Sequence, residues 1–328
     1  MSTSSAPPTP AGYKDRRAAC IAFGIAEIAM GALCGLMALL ILLATSVVTP
    51  GTDPKALILS LSFYLLLAVG LVWLGIGSAL CRRWARTLLL ILAWSWLVAG
   101  VTAIAMLAVI LPQMLEQLTP TSGTAALTVS LVVLCIVGVF LIAIPGVMIL
   151  FYQGKHVQAT FETRDPLPRW TDACPLPVLT TAIWLALGAI LVVPAVADGR
   201  AVVPLFGQLV SGRPATLLSL IGAGTSLWLA WGLARLERVA LWVSFAFTLI
   251  ASVSAAVTFA RVDFLEVYRL MGYPPDQIEA VRQMGLFGGQ TMAWLMAVLG
   301  AATCAFFIWL KKYFPASRSL ATGQHPDN

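Results

Sequence analysis

The sequence is poor in charge. Only 10% of its 328 residues are charged, 60% are hydrophobic, and the mean hydropathy is +0.92. A typical soluble domain has about 25% charged residues. This deficit excludes a water-soluble domain, a disordered chain and a collagen-like fibre as descriptions of the whole sequence, and it indicates a polytopic membrane protein.

The sequence also lacks the short motifs of common enzymes. It has no H-E-x-x-H, no Walker loop, no Rossmann glycine fingerprint and no G-x-S-x-G elbow. Its two histidines, His156 and His325, lie outside the long apolar runs, which speaks against haem or chlorophyll ligation within a membrane. We therefore expect no enzymatic activity, no metal and no cofactor.

Eight apolar runs are each long enough to cross a hydrocarbon core, which takes roughly 20 helical residues. They lack the alternation with a period of two that marks a transmembrane barrel, so the predicted fold is all-α with eight transmembrane helices. The first run, about 46 Å long at 1.5 Å per residue, must tilt or protrude. The runs are 18–48, 56–80, 87–111, 125–152, 176–197, 215–234, 239–260 and 286–310.

Lysine and arginine are distributed unevenly between the two sides of these spans. One side holds 14 of the 20 basic residues, in five short clusters at helix ends. By the positive-inside rule this side is cytoplasmic and carries both termini, in a bacterial inner (plasma) membrane. The clusters are interpreted as topology signals that also attract anionic lipid. The predicted partner is therefore the lipid bilayer and not a nucleic acid.

Two stretches of the sequence, 73–85 and 228–240, are alike at a shift of 155 residues, and 29–33 resembles 186–190 at a shift of 157. Near-equal shifts predict a duplicated four-helix unit, and an even number of helices keeps both copies parallel. The predicted organisation is a disordered cytoplasmic tail (1–17), a first half (18–152), a cytoplasmic proline-rich linker (153–175), a second half (176–311) and a second disordered cytoplasmic tail (312–328).

The linker is the most distinctive segment. Its four prolines predict an extended path, and Trp170 is a predicted interfacial anchor. The pattern H-V-x-A-T-x-E-x-R-D-P-x-P-R-W-T-D-x-C-P-L-P-V-L at 156–179 resembles a group of uncharacterised bacterial polytopic membrane proteins. The resemblance implies a multispanning bacterial protein and supplies no activity. The candidate site in the linker, whose alternative is a plain polar loop, comprises His156, Asp165, Arg169, Trp170 and Asp172.

Glu27 is the sole ionisable residue deep within a predicted span. It follows Arg17 by ten residues, about 15 Å along a helix, which predicts a position near the middle of the core. A charge there is costly, so we expect a protonated carboxyl. The functional interpretation is a proton relay or a contact with a substrate. The alternatives are a neutral carboxyl that hydrogen-bonds across helices, or one tipped towards the cytoplasmic edge.

Other local patterns make structural predictions. Gly31 and Gly35 form a G-x-x-x-G, which favours close helix packing within the chain or, alternatively, contact in an oligomer. Pro145-Gly146 predicts a kink in the fourth span. The apolar stretch 201–210 is too short to span and is predicted to lie at the interface or dip into it. The segment 273–284 predicts a short surface helix, with an ordered loop as the alternative.

Two functions remain open on these residues. The first is a non-enzymatic scaffold or accessory subunit, because a pathway for a polar solute would need more buried polar groups. The alternative is a carrier for a lipid or apolar small solute, with Glu27 as its membrane-embedded ionisable residue. A cavity between the halves that Glu27 faces would favour the carrier.

Overall fold

The computed structural model describes residues 13–47, 54–118, 123–167, 169–283 and 289–314. Helices account for most of the chain, with short 3₁₀ turns at Trp170–Asp172 and Lys311–Tyr313. The helices are α1 (Arg17–Val47), α2 (Pro54–Ala79), α3 (Arg83–Leu118), α4 (Gly123–Gly138), α5 (Ile144–Tyr152), α6 (Lys155–Arg164), α7 (Leu176–Ala197), α8 (Gly212–Ala234), α9 (Arg238–Phe259), α10 (Leu265–Leu270), α11 (Pro275–Gln283) and α12 (Gly289–Leu310).

Seven apolar segments within the described residues are helical and long enough to cross a membrane. They are Arg17–Ala44, Arg83–Ala108, Thr128–Tyr152, Leu176–Ala197, Gly212–Ala234, Arg238–Phe259 and Gln290–Tyr313. This confirms the predicted helical polytopic membrane protein. The remaining predicted span, 56–80, corresponds to α2, whose described apolar stretch, Tyr64–Ala79, is shorter.

The chain forms two compact units, Met1–Ala173 and Cys174–Asn328. In the first unit α1 packs along α2, and α3 packs against α4 and α5. In the second unit α7 packs along α8, and α9 along α12. Most of the predicted linker belongs to the first unit.

The packing of α1 on α2 depends on glycine. A Cβ added at Gly24 would lie 2.6 Å from the carbonyl oxygen of Gly75, and one at Gly75 would lie 2.7 Å from that of Gly24. A Cβ added at Gly31 would lie 2.9 Å from the carbonyl oxygen of Ala68 on α2, whereas one at Gly35 would make only an ordinary contact. Gly31 therefore serves packing within the chain, and the closest helix approach is at Gly24, outside the G-x-x-x-G.

The predicted kink at Pro145 coincides with a π turn, Val139–Ala143, which joins α4 to α5. Proline has no N–H, so the carbonyl of Leu141, four residues earlier, lacks its usual helical donor. The helix widens just before the proline, and the Ile144 N–H bonds to the carbonyl of Val139. Gly100 of α3 lies against the carbonyl of Leu141.

Two helix ends, one in each unit, have the same geometry. After α2 and α8 the chain passes through the left-handed region at Cys81 (φ 52°) and Leu236 (φ 59°). In both turns the next N–H bonds back to a glycine carbonyl five residues earlier, the bond of a Schellman motif. These bonds are Arg82 N to Gly77 O, 2.9 Å, and Glu237 N to Gly232 O, 3.0 Å. Each glycine also packs on an alanine of the following helix, Ala85 or Ala240.

The extended path predicted for the whole linker is wrong for its first part, which is helix α6. All four prolines follow Arg164, the last residue of α6, so nothing in 155–164 opposes a helix. The buried face of α6 comprises Val157, Thr160 and Phe161. The Thr160 hydroxyl oxygen accepts hydrogen bonds from the Tyr13 hydroxyl at 3.3 Å and the Arg16 N–H at 3.1 Å.

In the second unit a hairpin and the short helices α10 and α11 lie outside the long helices. The apolar stretch 201–210 is part of an antiparallel hairpin, β1 (Val202–Leu205) and β2 (Gln208–Ser211), which pairs Val203 with Val210. Its Phe206 and Gly207 N–H groups donate to the hydroxyls of Ser254 and Thr258 on α9. The position of the hairpin at the membrane interface stays a prediction. The predicted surface helix is confirmed as α11.

Candidate functional site

Glu27 is buried on the inner face of α1, with only 2% of its surface exposed. Its Oε1 lies 2.8 Å from the hydroxyl of Tyr152, the last residue of α5. That hydroxyl lies 2.6 Å from the Oγ of Ser78 near the end of α2. Three helices thus bring three polar side chains together in an otherwise apolar bundle.

The number of hydrogens needed for these contacts indicates the protonation state of the Glu27 carboxyl. The Ser78 hydroxyl also lies 3.3 Å from the carbonyl of Cys20, so three O···O contacts need three hydrogens. With an ionised Glu27, Tyr152 donates to Oε1, and the two hydroxyls supply only two hydrogens. A proton on Glu27 supplies the third: Glu27 then donates to Tyr152, Tyr152 to Ser78, and Ser78 to the backbone.

The second carboxyl oxygen, Oε2 of Glu27, is buried and has no hydrogen-bond partner. No lysine or arginine in the described part of the chain forms an ion pair with Glu27. A buried acceptor without a donor costs roughly 1–3 kcal/mol, and a buried charge without a partner costs more. The neutral form is therefore the stable one in this structure, and Oε2 remains able to accept a hydrogen bond.

Glu27 lines a cavity of about 440 Å³ within the first unit. The cavity lies between α1 and the π turn with α5, and apart from the glutamate its walls are apolar. The lining residues are Phe23, Ala26, Glu27, Met30, Ala143, Ile144, Val147 and Met148. Ala26, Ala143 and Val147 are exposed, so the cavity is open along an apolar rim.

Aromatic rings stand at the end of the cavity nearest the start of α1. The ring of Phe23 stacks on that of Phe151 at 3.9 Å between centroids, and both rings meet that of Tyr152 edge-on. Tyr152 in turn meets Phe161 of α6 at 6.2 Å. The linker helix therefore packs directly against the tyrosine that binds Glu27.

Glu27 lies near the ends of two neighbouring helices, α2 and α5. Tyr152 is the last residue of α5, and Ser78 is the second-last of α2. Because the Tyr152 hydroxyl contacts Glu27 directly, the carboxyl lies within one side chain's reach of those ends. Of the predicted alternatives, the structure favours a carboxyl that hydrogen-bonds across helices; its depth in a membrane stays a prediction.

Three of the five linker candidates come together. Asp165, 3% exposed, accepts bonds from Arg169 at both carboxylate oxygens, at 3.1 and 3.3 Å, and from the Arg83 N–H at 3.3 Å. Asp172 accepts from the Arg169 N–H at 2.9 Å and faces Arg83 at 3.8 Å. This ion-pair cluster fastens the linker to the turn between α2 and α3.

The charge state of Asp165 follows from these contacts. Burial alone raises the pKa of Asp165, but the bonds from Arg169 and Arg83 outweigh it and hold the pKa below its ordinary value. The other two candidates do not join the cluster, since the side chains of His156 and Trp170 are exposed. No group of three or more His, Cys, Asp or Glu side chains in the described ranges is arranged to hold a metal ion.

Sequence reasoning identified Glu27 but missed Tyr152 and Ser78. Tyr152 ends a span, where tyrosine is common as an interfacial anchor, and Ser78 stands among small residues before a turn. Nothing in a single sequence pairs either residue with position 27.

No family model, curated protein or solved structure matches the chain.

Proposed function

We propose that the protein is a membrane-embedded carrier for a lipid or another apolar small solute, which it binds in the cavity beside Glu27. The observation that supports this most is the partnerless Oε2 of a buried glutamate in the wall of an apolar cavity. Binding sites for small molecules are mostly apolar with a few polar groups, and their volumes are about 300–1,000 Å³. The predicted cavity lay between the halves; this one lies within the first unit.

The irregular helix beside the cavity supports the same function. π turns are rare and occur frequently at functional sites, and this one contributes Ala143 to the cavity wall. Broken helices next to a substrate site are common in transporters. The opening of the cavity along an apolar rim suits a ligand that arrives from the hydrocarbon.

We further propose the architecture predicted from the sequence: eight spans in two parallel four-helix repeats, with both termini cytoplasmic in a bacterial inner membrane. The matching turns at Cys81 and Leu236 support the repeat, as does the pairing of the first helix with the second and the third with the fourth in each unit. The corresponding glycines Gly31 and Gly188 differ: a Cβ added at Gly31 would meet the backbone of α2, and one added at Gly188 would meet nothing within 4 Å.

Photolabelling tests the carrier. The purified protein in nanodiscs is exposed to an alkyl diazirine amphiphile, and the labelled residues are identified by mass spectrometry. We expect labels on the lining residues of α1 and α5, and a bulky Val147→Trp substitution should abolish them by filling the cavity. Leu150→Trp is the matched control, because Leu150 is on the same helix, is 76% exposed and does not line the cavity.

Transport forms the second arm of this test. In proteoliposomes the carrier should accelerate the transbilayer movement of a headgroup-labelled lipid, and Val147→Trp should slow it while Leu150→Trp does not. Uniform labelling over the exposed faces of all helices, with no effect of Val147→Trp, would contradict the proposal.

The second candidate function is the scaffold or accessory subunit. It is favoured by α8, where Gly222 and Gly224 have open space around them and Leu217 and Ile221 are more than 60% exposed. Small residues beside exposed apolar ones allow another helix to approach closely. A scaffold should migrate in native gels as a stoichiometric complex, which Gly222→Leu disrupts without unfolding the chain.

A further inference from the structure

We propose that the ligand of this cavity is an amphiphile that carries a protonated amine, and that its binding expels the proton of Glu27. This inference rests on the proposed function, because it names the ligand class for the same cavity. It follows from the chemistry of the two carboxyl oxygens, from the lining of the cavity and from the absence of a nearby cation among the described residues.

The carboxyl is built to accept a charge partner. Oε1 is held by the Tyr152 hydroxyl, which can donate to a carboxylate as readily as it accepts from a carboxylic acid. Oε2 has no partner. A neutral ligand that needs one hydrogen-bond acceptor could be bound by a serine or asparagine, whose burial costs less free energy than that of a glutamate. Only an acidic side chain can offer a cationic ligand a negative charge.

The remaining lining specifies the rest of the ligand. Seven of the eight lining residues are apolar, and Met30 and Met148 are among them. Methionine is flexible and polarisable and adapts to ligands of different shape. Phe23 adds an aromatic ring, which attracts a cation. These walls suit an aliphatic or aromatic body attached to the ammonium group, and they do not select one particular skeleton.

The exchange balances in charge and atoms. The ligand is an ammonium ion in solution, since alkylamines ionise near the lysine value of about 10.4. R–NH₃⁺ and the carboxylic acid of Glu27 give the ion pair R–NH₃⁺···⁻OOC and one proton released to water. The cavity keeps its net charge of zero without the ligand and with it, so neither state buries an unpaired charge.

Few other groups bear on this exchange. Tyr152 on α5 contacts the carboxyl directly, and Ser78 on α2 contacts the Tyr152 hydroxyl. The Cys20 thiol lies two turns earlier on α1, with the Cys81 thiol beside it; their hydrogen bond lowers the pKa of Cys81 to about 7. In the described residues no other acid lines the cavity, so the released proton is assigned to Glu27.

Two probes of matched size test the inference, 4-phenylbutylamine and 4-phenylbutanol. Both donate a hydrogen bond, but only the amine carries a charge. Binding to the protein in zwitterionic nanodiscs is measured in weak buffer with a pH-sensitive dye. We expect the amine to bind at least about tenfold more tightly, a difference of about 1.4 kcal/mol, and to release one proton for each molecule bound.

Three variants test whether the tighter binding of the amine and the proton release depend on Glu27. Glu27→Gln keeps the shape of the side chain but cannot ionise, so the amine should lose its advantage and its proton release while the alcohol still binds. Val147→Trp should remove the binding of both probes, and Leu150→Trp should leave both unchanged. Retained binding of the alcohol by Glu27→Gln shows that this variant is folded.

The outcomes separate the two proposals. If neither probe binds in a way that Val147→Trp abolishes, the proposed carrier function fails. If both probes bind equally, or the amine binds without releasing a proton, the cavity binds small molecules but the inferred exchange is wrong. Proton release that persists in Glu27→Gln would overturn it as well.

Discussion

A single hydroxyl, that of Tyr152, connects α5 to Glu27 and to Ser78. We expect Tyr152→Phe to lower the free energy of unfolding by about 1–3 kcal/mol, because it leaves buried oxygens without a partner. Equilibrium unfolding in mixed micelles measures this. The matched control is Tyr13→Phe, whose hydroxyl bond to Thr160 is longer and only part-buried, and which should cost less. Equal losses of unfolding free energy for the two variants would mean that the buried hydrogen bonds among Glu27, Tyr152 and Ser78 stabilise the protein no more than the part-buried bond of Tyr13.

Asp165 offers a second test at the scale of one residue. Asp165→Asn removes a buried carboxylate that holds Arg169 at two points, so we expect a loss of about 1.5–3 kcal/mol. Asp15→Asn is the control: its ion pair with Arg164 is exposed, and such pairs contribute roughly 0–1 kcal/mol. Unfolding of both variants under the same conditions gives the comparison, and a larger loss for Asp15→Asn would contradict the assignment.

The same carboxylate predicts a pH dependence. The pKa of Asp165 is lower in the folded protein than in the unfolded chain, so its stabilisation is complete above the unfolded value of about 3.9. It is lost as the pH falls through the lower folded pKa. The difference in stability between the parent and Asp165→Asn should therefore be constant from about pH 7 to pH 5 and shrink below about pH 4. A difference that grows on acidification would be inconsistent with this sign.

The close packing of α1 on α2 can be tested by adding a methyl group at one glycine of the contact. A Cβ at Gly24 would meet backbone atoms of Gly75 and Ala79 at 2.6 and 2.8 Å, and backbone cannot move aside as a side chain does. We expect Gly24→Ala to destabilise the first unit by about 1–3 kcal/mol, measured by unfolding in micelles. Gly70→Ala on α2 is the control, since nothing lies within 4 Å of its added Cβ, and it should be neutral or slightly stabilising.

Some helices and strands could be predicted from local sequence patterns, and others depend on contacts that the local sequence does not show. Long apolar runs forecast the spanning helices, because only internally bonded backbone is stable in hydrocarbon. The hairpin was missed because its turn, Phe206-Gly207, lacks the usual Asn-Gly or Asp-Gly and depends on hydroxyls from α9. The α6 helix was missed because its neighbouring prolines dominated the interpretation. The π turn next to Pro145 was predicted only as a kink, because a proline in the sequence does not specify how the helix before it adjusts.

At the scale of the whole chain, the number of spans determines where the termini lie. Eight spans put both termini on one side of the membrane, and seven would put them on opposite sides. On the proposed topology, with eight spans and the basic clusters on the cytoplasmic side, a fluorescent protein that folds only in the cytoplasm should be bright when fused at either end. One bright and one dark fusion would show that α2 does not cross.

The site was only partly predictable because it depends on long-range contacts. Glu27 was recognisable from the sequence alone, because burying an acidic side chain within an apolar span is energetically unfavourable and therefore uncommon. Tyr152 follows it by 125 residues, and only the packing of the first unit brings the two together. The predicted depth of Glu27 stays a prediction, since α1, with 31 residues, is longer than a span requires and Arg17 need not mark the edge of the hydrocarbon.

The exposed rim of the cavity, at Ala26, Ala143 and Val147, affects how affinity must be measured. A ligand that enters through an apolar rim arrives by diffusion in the plane of the bilayer, so the quantity that drives occupancy is its mole fraction in the lipid. Adding empty vesicles would dilute such a ligand and weaken apparent binding, even though its total concentration is fixed. A titration that varies the lipid-to-protein ratio would therefore show from which phase the ligand enters.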